Sequence, residues 1–190
     1  KTITALPDTM ALVFTEAFKN GDIVRGYANS LFYLFFGVII NMVMTIPAAY
    51  ALSKQHMKGR NAIMMMIVFT MYFSGGLIPH YLMVRDLGLI NTRAVVLLEG
   101  AVTTTNLIIA RTYFSSSIPK ELEEAAYLDG CNPLRTFLHI MVPNVKGAIL
   151  VVFVLSFVWY YNDYTLTGML LNSDYPLSIA LTGVSTALNN

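Results

Sequence analysis

Long apolar runs separated by short polar segments dominate the pattern of this chain. The first run, Asn29 to Leu52, contains no charged residue. It exceeds the roughly 20 residues that cross a bilayer core about 30 Å thick. Further apolar runs predict spans at about residues 62–84, 94–114 and 145–161. The pattern therefore predicts an all-α polytopic membrane protein, with residues 29–190 forming the transmembrane domain.

The two ends of the chain depart from this pattern. Residues 1–28 are mixed and polar, and Asn20, Gly21 and Asp22 predict a turn, so we expect this segment to lie outside the bilayer. Residues 177–190 are apolar but too short to cross alone. The chain starts at Lys1 without a signal-peptide pattern. We interpret it as a piece of a longer protein.

The polar segments between the spans predict an orientation. Residues 53–61 carry Lys54, Lys58 and Arg60 without an acidic residue, which by the positive-inside rule is typical of a cytoplasmic loop. Counting crossings from this loop places residues 117–143 on the cytoplasmic side as well. Within the second span, Ser74-Gly75-Gly76 interrupts the helix near its outer end and either shapes the mouth of a pocket or only ends the span.

Residues 117–143 form the most polar and most strongly punctuated stretch. Pro119 fits the first turn of a helix, where its missing N–H costs nothing. Gly130 suits the position after that helix, since glycine adopts the left-handed conformation readily. Asn132 and Pro133 match the N-cap and first residue of a second helix. The stretch therefore predicts a helix of about ten residues, a sharp turn and another helix.

The first of these two helices has features of a docking element. Leu122, Ala125, Ala126 and Asp129 share one face at helical spacing, and the adjacent alanines leave that face nearly flat. A loop that only connects two spans has no need of such a face. Acidic residues crowd the first turn, where the helix dipole favours negative charge: Glu121, Glu123 and Glu124.

Polar and aromatic residues in the spans are candidates for a substrate path. Asn106 is closest to mid-membrane, and its amide either lines a path or, as we favour, bonds another helix. The aromatic run Trp159 to Tyr164 is either an interfacial belt, which we favour, or a platform on which a sugar ring stacks. The candidate path residues are Asn106, Trp159, Tyr160, Asn162 and Tyr164.

Composition supports a membrane protein and excludes several other classes. Of 190 residues, 56% are hydrophobic and 12% charged, whereas a soluble chain carries about a quarter charged residues. The mean hydropathy is +0.60. The net charge of +1 gives no indication of nucleic-acid binding. Cys131 is the single cysteine, without metal-ligand spacing around it, so we expect no disulfide, metal or bound cofactor.

The central stretch resembles a known family. Glu124-Ala125-Ala126, three residues, Gly130, nine residues and Ile140-Met141-Val142-Pro143 are similar to the EAA loop of binding-protein-dependent ABC transporter permeases, with Val142 where the family usually has Leu. Residues 74–79 (SGGLIP) and 87–92 (LGLINT) resemble the carbohydrate-uptake branch, the LplC/YtcP-like group, which is related to the maltose permease type.

This resemblance implies a type I ABC importer permease, a helical bundle in the bacterial cell membrane that imports a carbohydrate, most simply an oligosaccharide. The chain would lack the first and last spans. The implied partners are membrane lipid, a second homologous permease in a heterodimer, two ATPase subunits that bind ATP, and an extracytoplasmic solute-binding protein. Residues 117–143 would hold the coupling helix, with these ATPase-coupling residues: Glu121, Leu122, Glu124, Ala125, Ala126, Asp129 and Gly130.

The chain has no Gly-rich phosphate-binding loop with Lys, so we expect ATP hydrolysis on a separate subunit.

There are three alternatives to a carbohydrate permease: an intramembrane enzyme, a structural anchor and a permease for a non-sugar solute. An intramembrane enzyme would need a nucleophile–base pair or metal ligands in the spans, and neither HExxH nor GxSxG occurs. A structural anchor leaves the helix after Pro119 unexplained. A permease for a non-sugar solute stays open.

Overall fold

The computed structural model describes residues 21–162 and 165–171, which are mainly helical and contain no strand. Predictions for residues 1–20, Tyr164 and 177–190 lie outside the described residues. The helices are α1 (Gly21–Ser53), α2 (Arg60–Tyr72), α3 (Leu77–Asp86), α4 (Arg93–Glu99), α5 (Thr104–Ser117), α6 (Lys120–Leu128), α7 (Pro133–Thr136), a π-helical turn (Phe137–Met141), α8 (Val142–Asn144), α9 (Lys146–Asn162) and α10 (Thr165–Leu170).

Helix α1 is the longest element and the axis of the fold. Its segment Val24–Ser53 is long and apolar enough to cross a bilayer by itself. Gly21 and Asp22 already belong to this helix, so the turn predicted around them is wrong. Pro47 lies inside the helix without ending it, which membrane helices tolerate when neighbouring groups satisfy the freed carbonyl.

The break predicted within the second span is confirmed. Its two parts, α2 and α3, are bent by 116° at the break between Tyr72 and Leu77. Gly76 in this break has φ of +85°, a conformation that glycine adopts without strain. Helix α2 alone has 13 residues, fewer than the roughly 20 that a perpendicular crossing needs. The breaker that the sequence shows therefore redirects the chain within the span.

The third predicted span contains a bend, whereas the fourth matches one continuous helix, α9, with a bend immediately before it. Helices α4 and α5 form a pair bent by 43°, and the segment Pro133–Asn144 meets α9 at 82°. By length and composition, the described residues hold one helix that can cross alone, or up to four spans if each bent pair counts as one. Bends at these positions bring backbone carbonyls of the breaks, such as that of Gly100, into the bundle.

Pro143 accounts for the irregular backbone before α9. It has no N–H to donate to the carbonyl four residues earlier, and its ring would clash there. The preceding turn is π-helical, and the N–H of Val142 bonds the carbonyl of Phe137. The amide of Asn144 donates to the carbonyl of Ile140 at 2.7 Å. The run from Ile140 to Pro143 is therefore the point at which the chain turns into α9.

Helices α1, α5 and α9 pack around the main core. Small residues at the contacts, including Ala49, Ala110 and Ala148, are each at most 1% exposed, which lets the helices approach closely. A second cluster closes the other end, where Tyr33 packs with α3, α4 and the end of α10. Much of the outward apolar surface stays exposed, as expected of helices that face lipid or another subunit.

Candidate functional site

Helix α6 forms as the local sequence predicts. Pro119 is extended immediately before it, and Gly130 follows with φ of +73°. The N–H groups of Gly130 and Cys131 bond the carbonyls of Tyr127 and Ala126, each at 3.0 Å, which closes the C-terminus. Asn132 caps α7 by accepting a hydrogen bond from the N–H of Leu134 at 3.3 Å. The predicted helix, turn and second helix are confirmed.

The exposed face of α6 differs from the predicted face at one position. Ala126 is 3% exposed and lies against the rest of the chain, so it is not available to a partner and the prediction of a flat Ala125–Ala126 surface is wrong. The reason is helical spacing: Ala126 shares its side with Glu123, which contacts the end of α1. The residues exposed on α6 and just after it include Glu121, Leu122, Glu124, Ala125, Tyr127, Leu128, Asp129 and Gly130.

Tyr127 and Leu128 are the part of this surface that the sequence prediction missed. They are 79% and 86% exposed. Exposed apolar side chains beside carboxylates are typical of a surface that another protein covers. Their position at the end of the helix, one turn from Glu124, could have indicated this.

A cleft of about 800 Å³ lies between α6 and the ends of α1 and α5. Lys54, Arg60 and Arg111 line it together with Glu123 and Glu124. Arg111 donates through Nε to the carbonyl of Leu52 at 3.2 Å, which satisfies a free carbonyl at the end of α1. The structure thus places α6 at the same end of the bundle as the basic loop, as the crossing count predicts.

A buried polar network lies at the centre of the bundle. The amide of Asn106 donates to Ser156 Oγ at 3.0 Å, and Ser156 Oγ lies 2.7 Å from Asn41 Oδ1. Asn41 donates in turn to the carbonyl of Gly100 at 2.7 Å. The network joins α1, α5 and α9 to the break between α4 and α5.

This network decides between the two alternatives for Asn106. Its amide bonds another helix and is 5% exposed, so the favoured alternative is confirmed. Its partners, Asn41 and Ser156, were not predicted as site residues. A lone Asn within an uncharged span is the signal that could have indicated Asn41, because a buried amide in a membrane needs partners.

The aromatic cluster at the end of α9 is split between core and surface. Tyr160 is 6% exposed, its ring packs against Gly37 and Gly100, and its hydroxyl donates to the carbonyl of Leu97 at 3.1 Å. A ring enclosed in this way cannot stack on a sugar, so the predicted role of Tyr160 in a platform is wrong. Trp159 is half-buried and meets Tyr160 edge to face, with ring centres 4.9 Å apart. Asn162 is exposed and donates to the carbonyl of Val158 in its own helix.

Comparisons with known proteins give consistent matches over most of the chain. A family model described as "Binding-protein-dependent transport system inner membrane component" matches residues 23–189. Protein LplC of Bacillus subtilis is 34% identical over 182 residues, covering 94% of this chain and 61% of that protein. The polygalacturonan/rhamnogalacturonan transport system permease protein YtcP of the same organism is 34% identical over 95% of this chain and 64% of its own length.

A solved structure matches at the level of the fold. The crystal structure of a bacterial ABC transporter involved in the import of the acidic polysaccharide alginate aligns with a TM-score of 0.85 and 34% identity. The match covers 91% of this chain and 61% of that chain. The chain thus spans less than two thirds of the length of these similar proteins. The likeness confirms the predicted helical membrane fold.

Proposed function

Because the chain belongs to the family of binding-protein-dependent transport system inner membrane components, we propose that it is a permease subunit of an ATP-driven ABC importer. In this role it forms part of the path along which a carbohydrate crosses the membrane. It takes no part in ATP hydrolysis, which occurs on separate subunits. The observation that carries the proposal is α6, a short exposed helix between two membrane segments.

The geometry of α6 supports its role as the coupling helix. It presents Glu121, Leu122, Glu124 and Ala125 outward, and Tyr127 and Leu128 extend the same exposed surface. An ATPase subunit that closes on ATP can shift the permease only if it binds one permease conformation better than the other. A change from mostly inward-facing to mostly outward-facing requires about 5.5 kcal/mol of such preference. An amphipathic, partly apolar surface provides contacts from which that preference can arise.

The proposed assembly contains a second permease, two ATPase subunits and an extracytoplasmic solute-binding protein. ATP is bound by the ATPase subunits, with no cofactor in this chain. We propose that the protein crosses a bacterial cell membrane several times. The basic loop, residues 53–61, and α6 then face the cytoplasm, where positively charged loops accumulate. The exposed apolar sides of α1 and α9 contact lipid or the second permease.

The proposed substrate is a carbohydrate, and within that class an oligosaccharide. The names of similar proteins support this class: YtcP is a polygalacturonan/rhamnogalacturonan transport permease, and MelC of B. subtilis, 27% identical, is a melibiose/raffinose/stachyose import permease. The solved structure with the same fold imports an acidic polysaccharide. Uptake assays with candidate oligosaccharides would identify the sugar.

Co-purification from membranes tests the coupling role of α6. We expect an ATPase subunit to be retained by the full-length wild-type protein co-expressed with its second permease. We expect retention to fall about tenfold in Glu124→Lys combined with Ala125→Trp, because a misplaced charge and a bulky ring at an interface together cost more than about 1.4 kcal/mol. Retention is measured by immunoblot of the ATPase against the permease.

Lys58→Glu is the matched control for this experiment. Lys58 is exposed on the same side of the bundle but lies outside α6, so its charge reversal should leave ATPase retention at the wild-type level. Equal retention by the α6 variant and the wild type would show that the ATPase does not dock on this helix. Loss of retention in both variants would indicate a general defect and would count against a specific role of α6.

Replacement of Trp159 tests whether the outer aromatic cluster touches sugar. With Tyr160 committed to the core, Trp159 is the ring of the pair that retains exposed surface. Loss of one sugar–aromatic contact in Trp159→Ala should raise the KM for sugar uptake by about tenfold, a cost of about 1.4 kcal/mol, with complex assembly unchanged. Uptake of radiolabelled oligosaccharide measures this, and a wild-type KM would exclude Trp159 from the path.

Asn162→Ala serves as the comparison for Trp159→Ala. Asn162 is exposed at the same end of α9 and was also predicted to line the path. Its amide already bonds the carbonyl of Val158 at 2.9 Å, so its removal should change the KM less than the removal of Trp159. A larger effect at Asn162 than at Trp159 would mean that polar groups, rather than an aromatic ring, recognise the sugar at this end.

A further inference from the structure

The end of α1 and the side of α6 are joined by an ion pair. Lys54 directly follows the last residue of α1, and its ammonium pairs with the carboxylate of Glu123 on α6. Both groups are partly exposed, and neither was predicted as a site residue. The two residues are 69 positions apart in the sequence, and helices α2 to α5 lie between them in the chain.

The cationic end of this pair is held by a rigid aromatic cluster. The Lys54 ammonium lies 4.0 Å from the centre of the Tyr50 ring, within the range of a cation–π contact. That ring packs against Phe114 of α5 at 5.5 Å and Phe137 of the π-helical turn at 4.9 Å, measured between ring centres. Lys54 is therefore positioned by α1, α5 and the start of the α7–α9 segment together.

The last turn of α1 is itself well fixed. Ser53 Oγ donates to the carbonyl of Tyr50 at 2.7 Å, and Arg111 donates to the carbonyl of Leu52. Helix ends with satisfied carbonyls fray less than open ends. The end of α1 is therefore held in place, and a displacement of Lys54 should displace α1 as well.

Glu123 is distinctive among the acidic residues of α6. Within the part of the chain that the structure describes, Glu121, Glu124 and Asp129 form no ion pair, and all three are exposed. Glu123 and Ala126 instead share the side that faces the bundle. Among residues 121–128, Ala126 is buried, Glu123 is partly buried and the other side chains are exposed. Glu123 is therefore the polar side chain through which α6 contacts the end of α1.

We propose that the Lys54–Glu123 pair is a strut that makes α6 and α1 move as one body, and that both residues are positioning residues for energy coupling. The inference rests on the proposed permease function, because only in a permease would movement of α6 couple ATP hydrolysis to transport. The strut transfers a displacement of α6 directly to α1. Helix α1 then carries it to α5 and α9 through the network of Asn41, Ser156 and Asn106.

Spin labelling of the full-length protein tests the strut without any transport assay. Cys131 is replaced by Ser, and a nitroxide is attached at Leu128→Cys, a position that is 86% exposed. In Lys54→Glu and in Glu123→Lys, like charges oppose each other, so the ratio of the immobile to the mobile spectral component should fall about fivefold. The exchange variant Lys54→Glu with Glu123→Lys should restore most of that ratio.

Two controls separate the pair from general effects of charge. Lys58→Glu reverses a charge in the same loop and should leave the spectrum unchanged. In the wild type, salt at about 1 M should lower the immobile component, because it shortens the Debye length to about 3 Å and weakens a partly exposed pair. Wild-type spectra in both single variants, or no recovery in the exchange variant, would overturn the strut.

Reconstituted complexes with both permeases, the ATPase and the binding protein separate this proposal from the proposed function. The single variants should still bind and hydrolyse ATP but import about fivefold less solute per ATP, and the exchange variant should recover. Equal import per ATP in wild type and single variants would overturn the coupling role of the strut. If the wild-type complex imports nothing while the spin labels follow the expected pattern, the permease function fails and the strut stands as a contact within the fold.

Discussion

Gly37→Leu is expected to destabilise the folded protein by about 3 kcal/mol. A Cβ at Gly37 would lie within 3.0 Å of the ring of Tyr160, a separation that real Cβ atoms essentially never show. The ring has little room to withdraw, because it is buried and a Cβ at Gly100 would also lie within 3.0 Å of it. The helices α1 and α9 must therefore separate, with loss of packing along both.

The measurement is the free energy of unfolding in mixed detergent micelles, titrated with sodium dodecyl sulfate. Gly147→Leu is the matched control, since the described residues leave open space around Gly147 in α9. Gly147 is the second residue of α9, so this substitution should change the free energy of unfolding by less than about 0.5 kcal/mol. If both substitutions had the same effect, the close contact between α1 and α9 would be wrong.

A double-variant experiment identifies the clashing partner. Tyr160→Ala removes the ring and its hydrogen bond to the carbonyl of Leu97, so it destabilises the protein by itself. In the presence of Tyr160→Ala, however, the additional cost of Gly37→Leu should fall by at least about half, because contacting residues show non-additive effects. Additive costs would mean that some other group excludes a side chain at Gly37.

Asn41→Leu is expected to lower the free energy of unfolding by about 1–2 kcal/mol. The substitution removes the donor to the carbonyl of Gly100 and the acceptor that lies 2.7 Å from Ser156 Oγ. Both partners stay buried, where water cannot replace the lost bonds. The Ser156 hydroxyl has one hydrogen and can turn it to the carbonyl of Val152 at 2.8 Å, which keeps the cost moderate.

Asn162→Leu provides the same chemical change at an exposed site. Among the described residues, the hydrogen bond of the Asn162 amide stays within its own helix, so this substitution should change stability by less than about 0.5 kcal/mol. The same detergent titration compares the two variants. An effect at Asn41 no larger than that at Asn162 would mean that the interhelical network does not stabilise the bundle.

Local sequence was sufficient to predict α6 and its boundaries. Pro119, Gly130, Asn132 and Pro133 act through the backbone of residues one to four positions away, and such interactions are already defined in a short peptide. The same is true of the breaker before Leu77, which was recognised. Its 116° angle was not predictable, because a bend angle depends on the helices against which both halves pack.

The sequence predicted less well which side chains of a helix point toward the bundle. Ala125 and Ala126 are indistinguishable as neighbours in a sequence, yet one is exposed and the other buried. Trp159 and Tyr160 are also neighbours, yet Trp159 is half-buried and Tyr160 is buried. A helix rotates by about 100° per residue, so a pattern defines which residues share a side but not which side meets the bundle when several sides are apolar.

The sequence by itself indicated a helical membrane protein, a helix–turn–helix between two apolar segments, and a resemblance of this stretch to a permease coupling loop in its spacing. These properties follow from apolar run length and from caps, which depend on neighbours in the chain. Tertiary structure alone decided that Glu123 meets Lys54, that Asn106 meets Ser156, and that Tyr160 fills the space beside Gly37. Those contacts join residues distant in sequence, and in a chain that is apolar on nearly every side only the packing of whole helices selects them.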